Sequence, residues 1–237
     1  MIEVGLATHQ GRVREQNEDC SIAAYPIYAV ADGMGGHAAG EIASALAIEA
    51  LRPLVGAELT DPGRVAAAIQ EANARIWEGG RLPEQRGMGT TVTGCAALTD
   101  GGWVIFNVGD SRVLLVHEGE LRQVTTDHSE VQQMVDYGMI APEEAAIHPL
   151  RHIVTRSLGA RPAVDVDLVR VYLVPGDRLL VCSDGLTDEV PPDDIFWVLE
   201  TAQDPQGAAD ALVQAALSAG GHDNVTVLVV DIRGEEG

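Results

Sequence analysis

Five aspartates, Asp19, Asp32, Asp110, Asp184 and Asp223, stand beside glycines or at the edges of apolar stretches. That is the layout of a metal centre built from carboxylates. Its sharpest piece is Tyr28-Ala29-Val30-Ala31-Asp32-Gly33-Met34-Gly35-Gly36-His37, an apolar strand running into an acid and then a glycine-rich turn. Such a turn lets backbone carbonyls face the same ion as the carboxylate. A single Asp-Gly pair ordinarily marks only a turn, so the weight rests on the set.

A chain of 237 residues with 46% hydrophobic content can bury one sizeable core, and residues 1–237 read as a single domain, although the length would also permit two small ones. Thirty-six acidic against 15 basic residues give a net charge of -21, which repels nucleic acid and anionic lipid, so neither is an expected partner. Every basic residue is arginine. Without lysine there is no Walker-type phosphate loop, no kinase strand lysine and no Schiff-base nucleophile.

Cys20, Cys95 and Cys182 are odd in number and form no Cys-x-x-Cys pair, which argues against a disulfide framework or zinc knuckle and fits a reducing compartment. Cys95 and Cys182 sit in apolar stretches and read as buried structural thiols. No arginine lies six positions after any cysteine, which weakens a cysteine-phosphatase reading. The polar opening residues lack a secretory apolar segment, and no apolar run approaches the roughly 18 residues of a membrane span. A soluble, cytoplasmic monomer is the expectation.

Valine-rich and β-branched segments predict strands at Glu3–Thr8, Ile27–Ala31, Thr90–Leu98, Trp103–Val108, Arg112–His117, Val164–Leu173, Arg178–Cys182 and Asn224–Ile232. Glu118-Gly119 predicts an antiparallel hairpin into Leu121–Thr125. Helices are marked over Ile42–Leu51, over Val65–Trp77 after Asp61-Pro62, and over Ala208–Leu217 after Asp204-Pro205, each Asp-Pro pair matching an N-cap followed by proline. Residues 125–164 form a looser polar segment, read as a helical excursion or flap. The mixture implies layered α+β packing.

Carboxylates and carbonyls suit hard divalent cations, hence Mg²⁺ or Mn²⁺. The ordered set Arg14-Glu15-Gln16-Asn17-Glu18-Asp19, Ala31-Asp32-Gly33-Met34-Gly35-Gly36-His37, Gly89-Thr90-Thr91, Val108-Gly109-Asp110-Ser111-Arg112, Cys182-Ser183-Asp184-Gly185-Leu186 and Gly221-His222-Asp223-Asn224-Val225-Thr226 covers nearly the whole chain. It resembles the metal-dependent serine/threonine protein phosphatases of the type 2C class, in their bacterial branch.

The resemblance implies a four-layer α-β-β-α sandwich of two antiparallel sheets flanked by helices, with metals in a cleft at one end. It implies that Asp32 bridges two Mn²⁺ or Mg²⁺ ions, that Asp184 and Asp223 complete the first site, and that the Gly33 carbonyl and Asp19 serve the second. Two cations about 3.5–4 Å apart can share and activate a water, which would then attack phosphoserine or phosphothreonine. Arg14 would grip the phosphate with its guanidinium fork. The plainer alternative for Arg14 is an ion pair with Glu15 or Glu18. Asp110, read as a lone carboxylate facing solvent, would serve a third, weaker metal site.

Many eukaryotic relatives carry histidine where this chain has Met34, which leaves the leaving-group acid open among His37, His152 and His148. Phosphorylated proteins and a cognate serine/threonine kinase are the expected partners. Two other readings stand beside this one. Asp165-Val166-Asp167 superficially matches an aspartyl-phosphate nucleophile motif but lacks that chemistry's lysine, and a catalytically silent phosphoprotein-binding scaffold would keep the fold without needing all five aspartates.

Overall fold

The computed structural model describes residues 1–35 and 39–234. Two five-stranded antiparallel sheets pack face to face. One runs in the order β1 (Ile2–His9), β12 (Val225–Ile232), β11 (Arg178–Cys182), β8 (Arg112–His117), β9 (Glu120–Gln123). The other runs β10 (Asp167–Val171), β7 (Trp103–Val108), β6 (Val92–Ala97), β3 (Ile27–Ala31), β2 (Cys20–Ala24). A short pairing of β4 (Gly33–Met34) with β5 (Gly89–Thr90) sits beyond the end of β3.

Side chains alternate between the faces of a strand, and here both faces are covered. Tyr28 and Val30 of β3 point inward to meet Leu179, Val181, Leu228 and Val230 of the facing sheet. Ala29 and Ala31 turn outward onto α1 (Ala39–Leu51) and α2 (Gly63–Gly79), against Ile48, Leu51 and Ile69. On the opposite side, Leu180, Cys182, Val227 and Val229 pack on α6 (Pro192–Thr201) and α7 (Pro205–Ala219) through Ile195, Leu212 and Ala216. Four layers result, helix-sheet-sheet-helix, as expected. The central strands therefore read as unbroken apolar runs rather than alternating ones. Cys95 and Cys182 are fully buried, as their setting predicted, while Cys20 is half-buried.

Local signals explain several boundaries. Asp204 caps α7, its Oδ1 accepting from the Gly207 amide at 2.8 Å, with Pro205 as the first helical residue. At α2 the expected Asp61 cap is shifted: the helix begins at Gly63, Pro62 holds the cap position, and Asp61 Oδ1 accepts from Gly63 in a local turn at 2.9 Å. The strand predicted over Thr90–Leu98 breaks at Thr91, whose amide is drawn to the Asp32 carbonyl at 2.9 Å. Among the described residues no helix is long and apolar enough to cross a membrane.

The 125–164 segment is not uniformly loose. It contains α3 (Glu130–Asp136), capped by the Ser129 hydroxyl, and α4 (Pro142–Ala145), and the turns that follow them carry the exposed Tyr137, Met139 and Ile147. Its two ends are built into the body of the protein: Thr125, Asp127, His128, Ser129, Leu158 and Val164 are all buried. The flap proper is thus the middle of the predicted range.

A candidate carboxylate metal centre

Strand register explains why aspartates far apart in sequence meet. Cys20 pairs with Ala31, so Asp19 and Asp32 lie side by side at one end of β2 and β3. Cys182 pairs with Val227 on one side and Arg112 on the other, which brings the chain beyond β11, ahead of β12 and ahead of β8 to the matching end of the second sheet. Asp184 opens α5 (Asp184–Thr187), Asp223 lies just before β12, and Asp110 occupies the β7–β8 turn.

Glycines next to these acids are required by packing. A Cβ on Gly33 would stand 2.3 Å from the Gly40 carbonyl and 2.5 Å from that of Glu18. One on Gly185 would stand 2.0 Å from the Asn224 carbonyl. These close backbone approaches press the β3 end against α1, and α5 against the start of β12.

A set of polar side chains that the sequence reading did not single out holds the acids. Ser183 Oγ donates to Asp19 Oδ2 at 2.9 Å and accepts from the Thr226 amide at 2.9 Å. Asn224 accepts from the Glu18 amide and donates to the carbonyls of Gln10 and Gln16, fixing the 10–18 loop to β12. Thr91 Oγ1 accepts from the Asp32 amide at 3.0 Å and bonds Ser111 Oγ at 2.7 Å, tying β3 to the Asp110 turn. Glu18 takes the Gly40 amide in the first turn of α1 and has its pKa raised by burial.

The acids are starved of counter-charge. Burial, with Asp184 and Asp223 nearby, pushes Asp19 up to about 7 against the pull of the Thr226 and Ser183 hydroxyls. Asp110 is pushed to about 7 by burial and by Asp184 and Asp127, and Asp184 to about 6 by burial and Asp188. Asp32 is raised well above the carboxylate range by burial, then by Asp184 and Asp19, and it lies within hydrogen-bonding reach of Asp184. Asp19 Oδ1 and Asp184 Oδ1 are buried without any hydrogen-bond partner. Such orphaned anionic oxygens cost several kcal/mol unless a proton or cation satisfies them. The donor set, all hard oxygen, suits Mg²⁺ or Mn²⁺.

Two details differ from the sequence reading. Asp110 does not face solvent, being only 8% exposed. Arg14 pairs with neither Glu15 nor Glu18: its guanidinium clasps Asp223 Oδ2 at 2.6 Å, with both side chains partly exposed. That ion pair raises the Arg14 pKa. Among the described residues no group of three His, Cys, Asp or Glu side chains stands ready as an ion cage. The carboxylates are gathered but not closed around a point.

Of the candidate histidines, His37 lies outside the described residues. His148 Nδ1 only accepts from the Leu150 amide in an exposed turn. His152 pairs with Asp188 at 3.0 Å and lines, with Asp110, Asp184 and Arg151, a cavity of about 510 Å³ between the flap and the α5–α6 corner.

Comparison with known proteins identifies the family. Residues 14–218 match the family described as protein phosphatase 2C. The serine/threonine protein phosphatase PstP of Mycobacterium tuberculosis is 44% identical over 241 residues, covering 98% of this chain, while the chain spans only 45% of PstP. The serine/threonine phosphatase stp of Listeria monocytogenes is 39% identical over 238 residues, covering 94% of this chain and 93% of its own length. Among solved structures, the catalytic domain of PstP in complex with two manganese ions superposes with a TM-score of 0.90 at 38% identity, covering 98% of this chain and 99% of that one. By fold, by the order of its motifs and by these likenesses, the chain belongs to the protein phosphatase 2C family.

Proposed function

We propose that this chain, as one domain over 1–237, is a Mn²⁺- or Mg²⁺-dependent phosphatase hydrolysing phosphoserine and phosphothreonine in proteins. The observation that carries the reading is the gathering of Asp19, Asp32, Asp110 and Asp184, all with raised pKa values, beside the one arginine that reaches Asp223. Manganese is carried over from the PstP catalytic domain. Asp32 would bridge two ions, Asp184 and Asp223 would complete the first site, and Asp19 with the Gly33 carbonyl would serve the second. Asp110, with Asp184, would hold a third ion more weakly. When bound, the cations supply Lewis acidity and lower the pKa of water toward ~7.

The chain's own residues do the rest. Ionising four crowded carboxyls is unfavourable, so cation affinity rises with pH as Asp184 and then Asp19 and Asp110 release protons through about 6 and about 7. A cation drawing on Asp223 competes with Arg14 and frees its fork for a phosphoryl group, which guanidinium grips through two oxygens. Without that charge pairing, the acidic cleft would repel a phosphoprotein. His152 lines the adjoining cavity, which supports it as the acid that protonates the leaving oxygen. The opposing partner would be a serine/threonine kinase, and the setting the cytoplasm.

The test is hydrolysis of an aryl phosphate and a phosphothreonine peptide with Mn²⁺, with Mg²⁺ and after chelation. Turnover should vanish on chelation and return on adding metal. Turnover undiminished by exhaustive chelation, or none under any metal, defeats the proposal; the second outcome would favour a silent scaffold.

A further inference from the structure

His128 occupies the joint between the flap and the carboxylate cluster, and every polar atom it carries is used. Its ring is 7% exposed. Nδ1 accepts from the Gly109 amide at 2.9 Å, so the ring proton lies on Nε2 and is donated to Asp167 Oδ2 at 3.1 Å. Its backbone amide donates to the Gly109 carbonyl at 2.9 Å, and its carbonyl accepts from the Thr155 amide at 2.7 Å. Asp167 is clasped in turn by Arg156 at 2.5 Å. Thr155 and Arg156 lead out of the flap, while Gly109 precedes Asp110. Beyond that turn, Ser111 reaches Thr91, which holds both the amide and the carbonyl of Asp32.

Gly109 has reason to need such a hold. Its φ is +115°, open to glycine alone, and a Cβ there would strike the Thr91 side chain at 2.5 Å. A glycine in that conformation has no side chain of its own to fix the turn. Its buried amide has no strand partner and finds its acceptor in the imidazole.

We propose that His128 is a positioning residue that couples the seating of the flap to the geometry of the Gly109-Asp110 turn and, through Ser111 and Thr91, to Asp32. This deepens the phosphatase reading and rests on it. The imidazole does not touch substrate; it sets where the Asp110 carboxylate stands. Flap movement that disturbs Arg156 and Asp167 therefore reaches the acids by one buried ring. Burial keeps that ring neutral, lowering its pKa against the opposing pull of Asp167, with Arg156 and Asp127 also close.

Two isosteres separate the arms of the ring. His128→Asn puts an acceptor where Nδ1 stands and loses Asp167; His128→Gln puts its amide where Nε2 stands and leaves the Gly109 amide unmet. Hydrogen exchange of the Gly109 amide is followed by NMR in the metal-free chain, and turnover of an aryl phosphate is measured with Mn²⁺. H128N, which keeps an acceptor for Gly109 but loses Asp167, should speed Gly109 exchange only modestly, as D167A does, and hold turnover within about threefold of wild type. H128Q should speed exchange and cut turnover about tenfold, the kinetic equivalent of one buried hydrogen bond. Asp167→Ala, at the sheet edge, keeps the core histidine and serves if the ring variants fold poorly. It should speed Gly109 exchange and raise the KM for a phosphothreonine peptide more than it changes kcat for the aryl phosphate. Equal behaviour of H128N and H128Q overturns the proposal, as does wild-type Gly109 exchange in D167A. A wild-type chain without Mn²⁺-dependent turnover would end the phosphatase reading, while the metal-free exchange comparison would still decide the link from His128 to Gly109.

Discussion

Replacing Asp19 by asparagine should stabilise the metal-free protein while crippling it as a metal enzyme. In the folded chain the Asp19 carboxyl is moved from its ordinary 3.8 to about 7, chiefly by burial. A folded-state pKa above the unfolded one means that the folded chain holds its proton longer. Between those two values the native state binds more protons than the unfolded state, so stability falls as pH rises through that window. At pH 7.5 the cost approaches about 4 kcal/mol for an isolated group, and at pH 5 it drops below about 2 kcal/mol. Neighbouring acids share the burden, so a gain of about 2–3 kcal/mol is expected for D19N at pH 7.5. Asparagine is well matched to the site. Its oxygen can still accept from Ser183 Oγ, and its amide replaces the orphaned Oδ1 with a donor facing Asp184 and Asp223. Urea denaturation in chelator at pH 5 and pH 7.5 measures the effect. With Mn²⁺ at a hundredfold over its Kd the gap should close, since binding at the site Asp19 serves adds about 2.7 kcal/mol to the wild type and not to the variant. A D19N protein no more stable than wild type at pH 7.5 in chelator would refute the reasoning. So would a gain that is the same at both pH values.

Arg14→Lys should raise the KM for a phosphothreonine peptide several-fold and leave Mn²⁺ affinity unchanged or tighter, because lysine loses the bidentate fork and holds Asp223 less firmly; calorimetry beside kinetics reads both. Gly185→Ala should cost about 3 kcal/mol or more in urea denaturation, because its methyl has nowhere to go but into the Asn224 carbonyl at 2.0 Å. Exchanging residues 130–150 for another flap, which leaves His152 in place, should change preference among phosphoproteins with aryl phosphate turnover preserved. Extending the exchange to 125–164 should lower both activities, since Thr125, His128, Ser129 and Leu158 belong to the buried body.

What could be read from the chain and what could not divides along a physical line. The end of β3 was legible because an apolar run stopping at Asp32-Gly33 is a local pattern, as were the Asp204-Pro205 start of α7 and the Glu118-Gly119 hairpin. The short helix opening at Asp184 and the β2 strand were not seen, because so few residues give no period to count. The Arg14–Asp223 pair spans 209 positions, and no local spacing carries it. Ser183, Asn224, Thr91 and Ser111 fall inside the recognised motifs, yet their roles, like that of His128, were not legible: hydroxyls, amides and a lone histidine look alike in loops and in buried brackets. Only strand register decides which of them face an acid.

That same register changes what the glycines mean. Gly33 looked like a turn-former that frees its carbonyl for an ion, yet it and Gly185 each meet another backbone far closer than any Cβ would allow. The close approach sets the acids side by side, and once they stand side by side under burial their protons are held to about 6 and 7. A fold that presses carboxylates together without lysine nearby has given up stability at neutral pH. Divalent cations are the counter-charge that these oxygens can accept, which is why the packing of glycine and the proposed chemistry of the cleft are one physical problem.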